Sequence, residues 1–233
     1  MNAIISGGSK GIGKAIAMKF LENGYNVAIC GRNEGALNQF KSDALELSYT
    51  SDILTFVTDI SRPEGVKSFA KACLKKYKTI DILVNNAGIF IPGKITEEKS
   101  GKLEKMMETN LYSAYHLSRE IIPYMKDSSK PHIFNICSIA SIIAYPNGGS
   151  YSISKFAMLG FSKVLREELK PTGIKVTSIL PGATWSDSWL GAEIPYERIM
   201  EAKDIADTVW SAYQLGPSSV VEEIILRPTQ GDL

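Results

Sequence analysis

The chain has 233 residues, 44% of them apolar, and its 26 basic and 25 acidic side chains leave a formal net charge of only +1. This length and composition suit one α/β domain over residues 1–233, and the absence of any charge run argues against a nucleic-acid partner. The longest apolar stretches, such as 80–84, have the length of a strand and are too short to span a membrane, so no membrane partner is expected.

The N-terminal sequence MNAIISGG predicts a strand that enters a glycine turn rather than a signal peptide. The three cysteines, Cys30, Cys73 and Cys137, form no CxxC pair and no even-numbered set. We therefore expect buried thiols in a cytoplasmic protein, with no metal site.

Strand-like and helix-like segments alternate along the whole chain. The predicted strands are 2–7, 26–32, 53–60, 80–88, 132–138, 174–182 and 220–228. The predicted helices are 12–24, about 34–47, 63–77, one or two within about 99–126, about 149–170 and about 204–215. This alternation predicts a Rossmann-like, doubly wound parallel sheet of about seven strands in a single domain. Ligands of such sheets bind at the carboxyl ends of the strands.

A glycine-rich turn, SGGSKGIG at 6–13, joins the first strand to the first helix. Gly7 can turn the chain sharply, and Gly11 and Gly13 let a diphosphate approach the helix N-terminus closely. Such a turn can also be no more than a tight connection. Its place in a βαβ unit favours a dinucleotide site.

The end of the second strand indicates which dinucleotide is preferred. An NAD site usually carries a carboxylate there for the ribose 2′-hydroxyl, whereas this chain has Arg32. Lys10 adds a second cation in the glycine turn. A guanidinium suits a 2′-phosphate in charge and in donor geometry, so we predict NADP(H) rather than NAD(H). The alternative is that both cations are solvated surface residues.

The remaining motifs complete a recognisable pattern. They are Asp59 in TDI, NNAG at 85–88, Asn110 in ETNLYSAYHL, Ser138 in ICSIAS, YSISK at 151–155 and LPG at 180–182. With SGGSKGIG, and in this order and spacing, they resemble the short-chain dehydrogenase/reductase family over nearly the whole chain. The chain has Ser6 where the family usually has threonine, and it ends in EEIILRPTQGDL rather than the DGG ending of many 3-oxoacyl carrier-protein reductases. That ending is more similar to the 3-hydroxy acid dehydrogenase and sepiapterin reductase branches.

The resemblance implies a catalytic tetrad of Asn110, Ser138, Tyr151 and Lys155. It also implies that Asn110 holds a water linking Lys155 to solvent. Either Thr184 or Ser186 would contact the nicotinamide carboxamide. The predicted cofactor contacts are Gly7, Ser9, Lys10, Gly11, Ile12, Gly13, Arg32, Asn33, Asp59, Ile60, Asn86, Ala87, Gly88, Tyr151, Lys155, Pro181, Gly182, Thr184 and Ser186.

Tyr151 and Lys155 are four residues apart on a predicted helix, so they share one face. An ammonium close to a phenol favours the phenolate, which would let Tyr151 exchange a proton with a carbonyl or alcohol oxygen. The hydroxyl of Ser138 could stabilise charge on that oxygen. Each residue also has a purely structural interpretation: a helical pair, a turn cap for Ser138 and a buried hydrogen-bonding amide for Asn110. For Asn85, a turn role and a cofactor contact are equally plausible.

The substrate lid is expected between Gly182 and about residue 203. Phe90, Tyr145, Trp185 and Trp189 are the predicted substrate contacts and suggest an apolar or aromatic carbonyl pocket, although such residues could equally anchor the lid. Arg198 is a candidate for binding an anionic group. The substrate would be a small carbonyl or alcohol: a 3-oxoacyl thioester, a simple ketone, a 3-hydroxy acid or a pterin ketone.

Two further expectations concern assembly and rival functions. The family resemblance implies a homodimer or homotetramer packed through about 100–126 and 150–170. The main rival is a non-catalytic NADP(H)-binding sensor or scaffold, which would bind the nucleotide without turnover.

Overall fold

The computed structural model describes residues 1–186, 189, 191 and 193–232. The strands are β1 Asn2–Ser6, β2 Asn26–Gly31, β3 Ile53–Val57, β4 Ile82–Asn85, β5 His132–Ile136, β6 Lys175–Pro181 and β7 Glu223–Leu226. The helices are α1 Gly11–Glu22, α2 Glu34–Glu46, α3 Pro63–Lys76, α4 Lys102–Met107, α5 Ser113–Ile121, α6 Gly149–Leu169 and α7 Ala202–Gln214. Every neighbouring strand pair is parallel, in the order β3-β2-β1-β4-β5-β6-β7, which confirms the predicted doubly wound sheet of seven strands.

Both faces of the sheet are covered, because neighbouring residues of a strand point to opposite sides. In β1, Ile5 joins the apolar core formed with α1, α2 and α7, whereas Ile4 joins the core formed with α3, α5 and α6. Both residues are fully buried. This double burial explains why the strands are continuously apolar rather than alternating.

Several strands are shorter than predicted, including β3 (53–60 predicted) and β7 (220–228 predicted), and two further segments with different bounds bear on the site. The strand predicted at 80–88 ends at Asn85, because the Asn86 side chain turns to donate hydrogen bonds to the carbonyls of Ser6 and Gly7, both at 3.0 Å. The helical region predicted at 99–126 is α4 and α5 separated by a π-helical turn, Glu108–Tyr112. That turn contains Asn110.

Asn85 has a structural role. It is buried, and its amide nitrogen donates to the Asn135 amide oxygen at 2.8 Å and to the Ser118 hydroxyl at 3.0 Å. Asn135 in turn donates to the Ser162 hydroxyl at 2.9 Å. These bonds join β4, β5, α5 and α6 behind the carboxyl edge of the sheet.

The three cysteine thiols are buried and unpaired. Burial raises the pKa of Cys30 to about 12 and that of Cys137 to about 11, so neither is a ready nucleophile. Among the described residues, no cluster of three or more His, Cys, Asp or Glu side chains could hold a metal ion. None of the described helices has the length and apolar character needed to cross a membrane.

His132, at the start of β5, makes the stability of the protein depend on pH. It is 1% exposed, stacks on Phe134 and lies 2.7 Å from the Thr177 hydroxyl. That hydroxyl donates to the Val221 carbonyl, so the His132 Nε2–H must be the donor to Thr177. Burial, with the charges of Lys175 and Lys130, lowers the pKa of His132 to about 3.

We expect acidification to destabilise the fold through His132. Below about pH 6.5 the imidazole binds a proton in the unfolded chain but not in the folded one, so this contribution to the free energy of unfolding falls by about 1.4 kcal/mol per pH unit. Urea melts at neutral and mildly acidic pH should show a shallower loss for His132→Asn than for the natural protein. Equal slopes would contradict a neutral buried His132.

Candidate active site

A cavity of about 600 Å³ opens at the carboxyl ends of the central strands, where the topology predicts a ligand site. It extends from the glycine turn to the N-terminal end of α6. The predicted site residues that line it are Ile12, Asn86, Gly88, Phe90, Ser138, Tyr145, Tyr151, Lys155, Pro181, Gly182, Thr184, Ser186 and Trp189. The cavity therefore brings three of the four proposed catalytic residues, Ser138, Tyr151 and Lys155, together with the nicotinamide-side residues, whereas Asn110 does not line it.

The glycine turn has the backbone that its composition predicted. Gly7 and Gly11 have positive φ angles of 64° and 51°, which favour glycine. Lys10 is the N-cap residue of α1, makes no side-chain cap hydrogen bond, and is followed by no acidic residue in the first turn. The first backbone N–H groups of α1 therefore have no side-chain acceptor of this kind, and the positive end of the helix favours an anion.

The turn is fixed to β4 by Ser6 and Asn86. The Ser6 hydroxyl accepts hydrogen bonds from the backbone N–H groups of Asn86 at 3.0 Å and Ala87 at 3.1 Å. A Cβ atom on Gly13 would overlap both the Asn86 amide nitrogen and the Gly7 carbonyl oxygen. The serine at position 6 therefore keeps the bridging role of its hydroxyl, and Gly13 is required for the close approach of α1.

We expect Gly13→Ala to lower both stability and nucleotide affinity, because Asn86 must move and release the Ser6 and Gly7 carbonyls. Overpacking of this kind typically costs about 1–3 kcal/mol. Gly216→Ala is the control, since a Cβ atom there meets nothing within 4 Å. Thermal melts and nucleotide titrations should separate the two variants. Equal behaviour would argue against this packing.

The residues after β2 and β3 border the glycine turn on the other side. A Cβ atom on Gly31 would lie 3.0 Å from the Ser9 hydroxyl, so the end of β2 contacts the turn. The next residue, Arg32, is exposed. Asn33 caps α2 by accepting the Ala36 N–H at 2.9 Å, which leaves its amide nitrogen as a donor.

Asp59 lies just beyond β3, and the neighbouring Ile60 is buried. Burial alone would raise the pKa of Asp59, but hydrogen bonds from Ser61 and the charges of Arg32 and Arg62 lower it overall. Asp59 is therefore ionised at neutral pH. Its Oδ1 accepts from the Ser61 N–H at 3.0 Å and from the Ser61 hydroxyl at 2.8 Å, which leaves Oδ2 without a described donor.

Tyr151 and Lys155 lie in the first turns of α6. The Lys155 Nζ is 5.9 Å from the centre of the Tyr151 ring and donates a hydrogen bond to the Ile136 carbonyl at 3.0 Å. Phe90 meets the Tyr151 ring edge to face, with the ring centres 4.9 Å apart. Lys155 is 5% exposed, whereas Tyr151 is half-buried and borders the cavity. The pair can thus hold a phenol and an ammonium side by side at the cavity wall.

The start of α6 is held by Glu98, from the loop before α4. Its carboxylate accepts a hydrogen bond from the Ser150 N–H at 3.1 Å and a second from the Ser150 hydroxyl. Both bonds act on the residue that precedes Tyr151. They fix the loop that carries Phe90 against the helix that carries the phenol.

Ser138 follows β5 and has both a structural contact and an unused donor. Its hydroxyl oxygen accepts the Ala140 N–H at 3.1 Å and so caps the short 3-10 helix Ile139–Ser141. The hydroxyl proton is donated to no described residue, and the side chain lines the cavity. Ser138 therefore caps the short helix with its hydroxyl oxygen. Its hydroxyl proton can still be donated to a bound oxygen.

Asn110 is buried and spans two elements. Its Oδ1 accepts the Ile89 N–H at 2.7 Å, and its Nδ2 donates to the Ile89 carbonyl at 3.0 Å and to the Ser154 hydroxyl at 2.9 Å. Ser154 donates to the Tyr151 carbonyl at 2.7 Å. Asn110 thus connects the loop after β4 to α6, and the predicted water contact stays a prediction.

The segment after β6 forms part of the cavity wall. Thr184 is buried and donates its hydroxyl to the Gly182 carbonyl at 3.0 Å. Ser186 lies over the glycine turn, because a Cβ atom on Gly11 would be 3.5 Å from the Ser186 Cβ. Both residues line the cavity, so either can serve the nicotinamide end.

Two predictions for the lid need correction. Trp185 is not part of the cavity wall: its ring stacks on Tyr196 at 5.7 Å, and its indole N–H donates to the Tyr196 carbonyl at 2.8 Å. Tyr196 belongs to the same lid segment, so these contacts hold the lid together internally and do not attach it to the body of the domain. Arg198 binds main-chain carbonyls, those of Gly231 at 2.7 Å and Asp232 at 3.2 Å, rather than presenting its charge to a ligand.

The sequence analysis missed the contribution of the C-terminal segment. Arg227 and Asp232 both line the cavity, because β7 ends beside β6 at the same edge of the sheet. The rule that ligands bind at carboxyl ends of strands applies to β7 as well, and it would have selected Arg227.

The comparisons with known proteins agree with this geometry. A family model described as short chain dehydrogenase matches residues 1–192. The sepiapterin reductase of Chlorobaculum tepidum is 30% identical over 238 residues, covering 99% of this chain and 97% of the relative.

Two solved structures share the fold with nearly complete coverage. An alcohol dehydrogenase from the archaeon Thermococcus sibiricus, complexed with 5-hydroxy-NADP, has a TM-score of 0.89 and 25% identity over 98% of this chain and 96% of that one. The L-sorbose reductase of Gluconobacter frateurii, complexed with NADPH and L-sorbose, has a TM-score of 0.88 and 25% identity over 97% and 95%. This chain belongs to the short-chain dehydrogenase family of oxidoreductases.

Proposed function

We propose that this protein is an NADP(H)-dependent carbonyl reductase, or alcohol dehydrogenase in the reverse direction, with Asn110, Ser138, Tyr151 and Lys155 as its catalytic set. The observation that carries the proposal is that Ser138, Tyr151 and Lys155 line one cavity that continues to the glycine turn. Binding a nucleotide without turnover would not require Ser138 and Tyr151 to line the same cavity.

The residues present fit a dinucleotide. Gly7 and Gly11 provide a close approach to the N-terminus of α1, and this helix end lacks a side-chain cap. From there the cavity extends past Ile12 and Ser186 to Lys155. The glycine turn would hold the diphosphate and Lys155 the ribose of the nicotinamide. When bound, the cofactor supplies or accepts the hydride.

The protein's own residues would handle the proton and the developing charge. Tyr151 gives a proton to the carbonyl oxygen in reduction and takes one from the alcohol in oxidation. The uncommitted hydroxyl proton of Ser138 is donated to the same oxygen, where it stabilises negative charge. Lys155 holds its ammonium beside the Tyr151 ring, and Asn110 maintains the loop-to-helix connection that keeps these groups together.

The preference for NADP(H) rests on the edge of the sheet at β2. Arg32 is exposed directly after this strand, and the Ser9 hydroxyl contacts the same strand end. Asn33 adds an amide donor beside Arg32. Together they offer a cation and two neutral donors to a 2′-phosphate. The related structures with 5-hydroxy-NADP and NADPH support the same preference.

The first test of the function is a substrate panel. NADPH and NADH oxidation should be followed with 3-oxoacyl thioesters, α-diketones, oxo acids, aromatic ketones and a pterin side-chain ketone. The last class is included because of the similarity to a sepiapterin reductase. We expect NADPH-dependent reduction of at least one class. Tight NADPH binding without turnover of any class would favour the sensor alternative.

We also propose a two-fold symmetric homodimer through α5 and α6. An exposed apolar stripe, Ile153, Phe156 and Val164, runs along α6 at helical spacing, and Tyr112 and Tyr115 are exposed beside it. An apolar stripe on a helix that also carries the site residues needs a partner surface.

Phe156→Glu should convert the dimer to a monomer, since a two-fold axis places each substitution in the interface twice. Light scattering coupled to gel filtration measures the mass directly. Leu45→Glu is the matched control, because Leu45 is 71% exposed on α2, away from the stripe. A monomeric natural protein at micromolar concentration would contradict the proposal.

A further inference from the structure

The segment that follows β7 returns across the mouth of the catalytic cavity. Leu226, the last residue of β7, pairs with Pro181 of β6, so Arg227 lies at the carboxyl edge. Asp232 reaches back to the loop after β6, where its Oδ1 accepts the Ala183 N–H at 3.2 Å. Arg227 and Asp232 share the cavity wall with Tyr151.

This segment is fixed in place at several points. Asp232 Oδ2 accepts a hydrogen bond from Arg227 Nε at 2.7 Å. From the lid side, Arg198 donates to the carbonyls of Gly231 and Asp232. A Cβ atom on Gly182 would overlap Asp232 Oδ1, so the carboxylate packs directly on the backbone. The Arg227 side chain is therefore oriented by a carboxylate that is itself held by the fold.

Asp232 and Arg227 differ in how many of their hydrogen-bonding atoms already have partners. Both oxygens of Asp232 already have donors, Ala183 and Arg227. Only the Nε of Arg227 is used, and its two terminal Nη groups donate to no residue in the described part of the chain. With 45% of its side chain exposed, Arg227 borders the cavity with a positive charge and two Nη groups whose four N–H donors bind no described residue.

The rest of the cavity wall is less polar than the Arg227 guanidinium. The side chains around it are largely apolar: Ile89, Phe90, Ile139, Ile143 and Trp189. The other cation that lines the cavity, Lys155, lies beside the Tyr151 ring and already donates to the Ile136 carbonyl. In such surroundings a planar guanidinium is suited to bind a carboxylate through two parallel hydrogen bonds.

We propose that Arg227 is a specificity-determining residue that binds the carboxylate of the substrate, so that the enzyme acts on oxo acids and hydroxy acids rather than on neutral carbonyl compounds. This inference rests on the proposed function, because it places the reacting carbonyl at Tyr151 and the carboxylate at Arg227. Asp232 is the positioning residue that orients the guanidinium.

A binding experiment tests the proposal without requiring turnover. Pyruvate, acetoacetate and levulinate, each compared with its methyl ester, are titrated calorimetrically into the protein alone and into the protein saturated with NADP⁺, which cannot reduce them. The three acids place the carboxylate at increasing distances from the carbonyl. We expect at least one acid to bind at least about tenfold more tightly than its ester, a ratio typical of a charge-assisted pair.

Two variants test whether Arg227 binds the carboxylate of the substrate or only secures the C-terminal segment together with Asp232. Arg227→Met keeps the length of the side chain and should abolish the difference between acid and ester while leaving the affinity for the ester unchanged. Asp232→Asn places an amide N–H₂ against either the Ala183 N–H or the Arg227 Nε–H, so the guanidinium should lose its fixed orientation and the difference between acid and ester should shrink. If the pair only secures the C-terminal segment, both variants will weaken acid and ester alike.

The outcomes also distinguish this inference from the proposed function. Equal binding of acids and esters, or a preference that survives in Arg227→Met, would overturn the role of Arg227 even if neutral ketones are reduced. Conversely, carboxylate binding that depends on Arg227, without NADPH oxidation on any carbonyl compound, would uphold this site and contradict the reductase assignment.

Discussion

Tyr151→Phe should lower the rate of NADPH oxidation by about 10²- to 10⁴-fold, the usual contribution of a positioned general acid. The variant loses only the phenolic hydroxyl, which forms no hydrogen bond with a described residue, and it keeps the ring that meets Phe90 edge to face. The fold should therefore be unchanged, and because Tyr151 is also a predicted cofactor contact, any loss of NADPH affinity should be small beside the loss of rate. Steady-state kinetics, together with fluorescence titration of NADPH, measures both quantities.

A matched control removes a hydroxyl elsewhere. Tyr124 is exposed in the short helix Ile122–Tyr124, on a part of the surface that does not line the cavity, so Tyr124→Phe should keep full activity. If Tyr151→Phe retained more than about a tenth of the activity, Tyr151 could not be the main proton donor. If NADPH affinity fell as much as the rate, Tyr151 would act mainly as a cofactor contact rather than as the proton donor.

Replacing Arg32 should change which nucleotide the protein prefers. Charge-assisted hydrogen bonds to a phosphate are worth about 1.5–3 kcal/mol, so Arg32→Ser should weaken NADPH binding by roughly ten- to 150-fold. NADH lacks the 2′-phosphate, and its affinity should stay the same. The measurement is the ratio of the two dissociation constants. Added salt should weaken the binding of NADPH more steeply than the binding of NADH.

The control for Arg32 tests whether overall charge is responsible. Lys71→Ser removes one positive charge from the exposed side of α3 and should leave both affinities unchanged. An equal loss of NADPH and NADH affinity in Arg32→Ser would mean that Arg32 supports the shape of the site rather than the 2′-phosphate. No change in either affinity would show that Arg32 is a solvated surface residue.

The fold and the position of the catalytic set could be predicted because they depend on local patterns. Continuous apolar strands, separated by helices, determine a parallel sheet, and the polar residues at strand ends then meet at one edge. Tyr151 and Lys155 share a helical face because they are four residues apart, which does not depend on contacts with the rest of the chain. Gly13 was predicted from its place in the glycine turn, whereas its close packing on Asn86 is a long-range contact that only the structure shows.

The substrate end could not be predicted to the same extent, because it depends on contacts between segments far apart in sequence. Trp185 could have lined the pocket or anchored the lid to the body, but its ring stacks on Tyr196 within the lid itself. Arg198 had the charge expected of an anion site, but the return of the C-terminal segment supplied it with main-chain carbonyls instead. The pairing of Arg227 with Asp232 has the same non-local origin.

The most direct measurement of the central claim follows the hydrogen itself. NADPH carrying deuterium at the transferable position of the nicotinamide is incubated with the best substrate of the panel, and the product is analysed by mass spectrometry. We predict an alcohol with deuterium on the former carbonyl carbon, formed by the natural protein and lost in Tyr151→Phe. NADPH consumption that yields no labelled alcohol, or label transfer that Tyr151→Phe leaves unchanged, would contradict carbonyl reduction at this site.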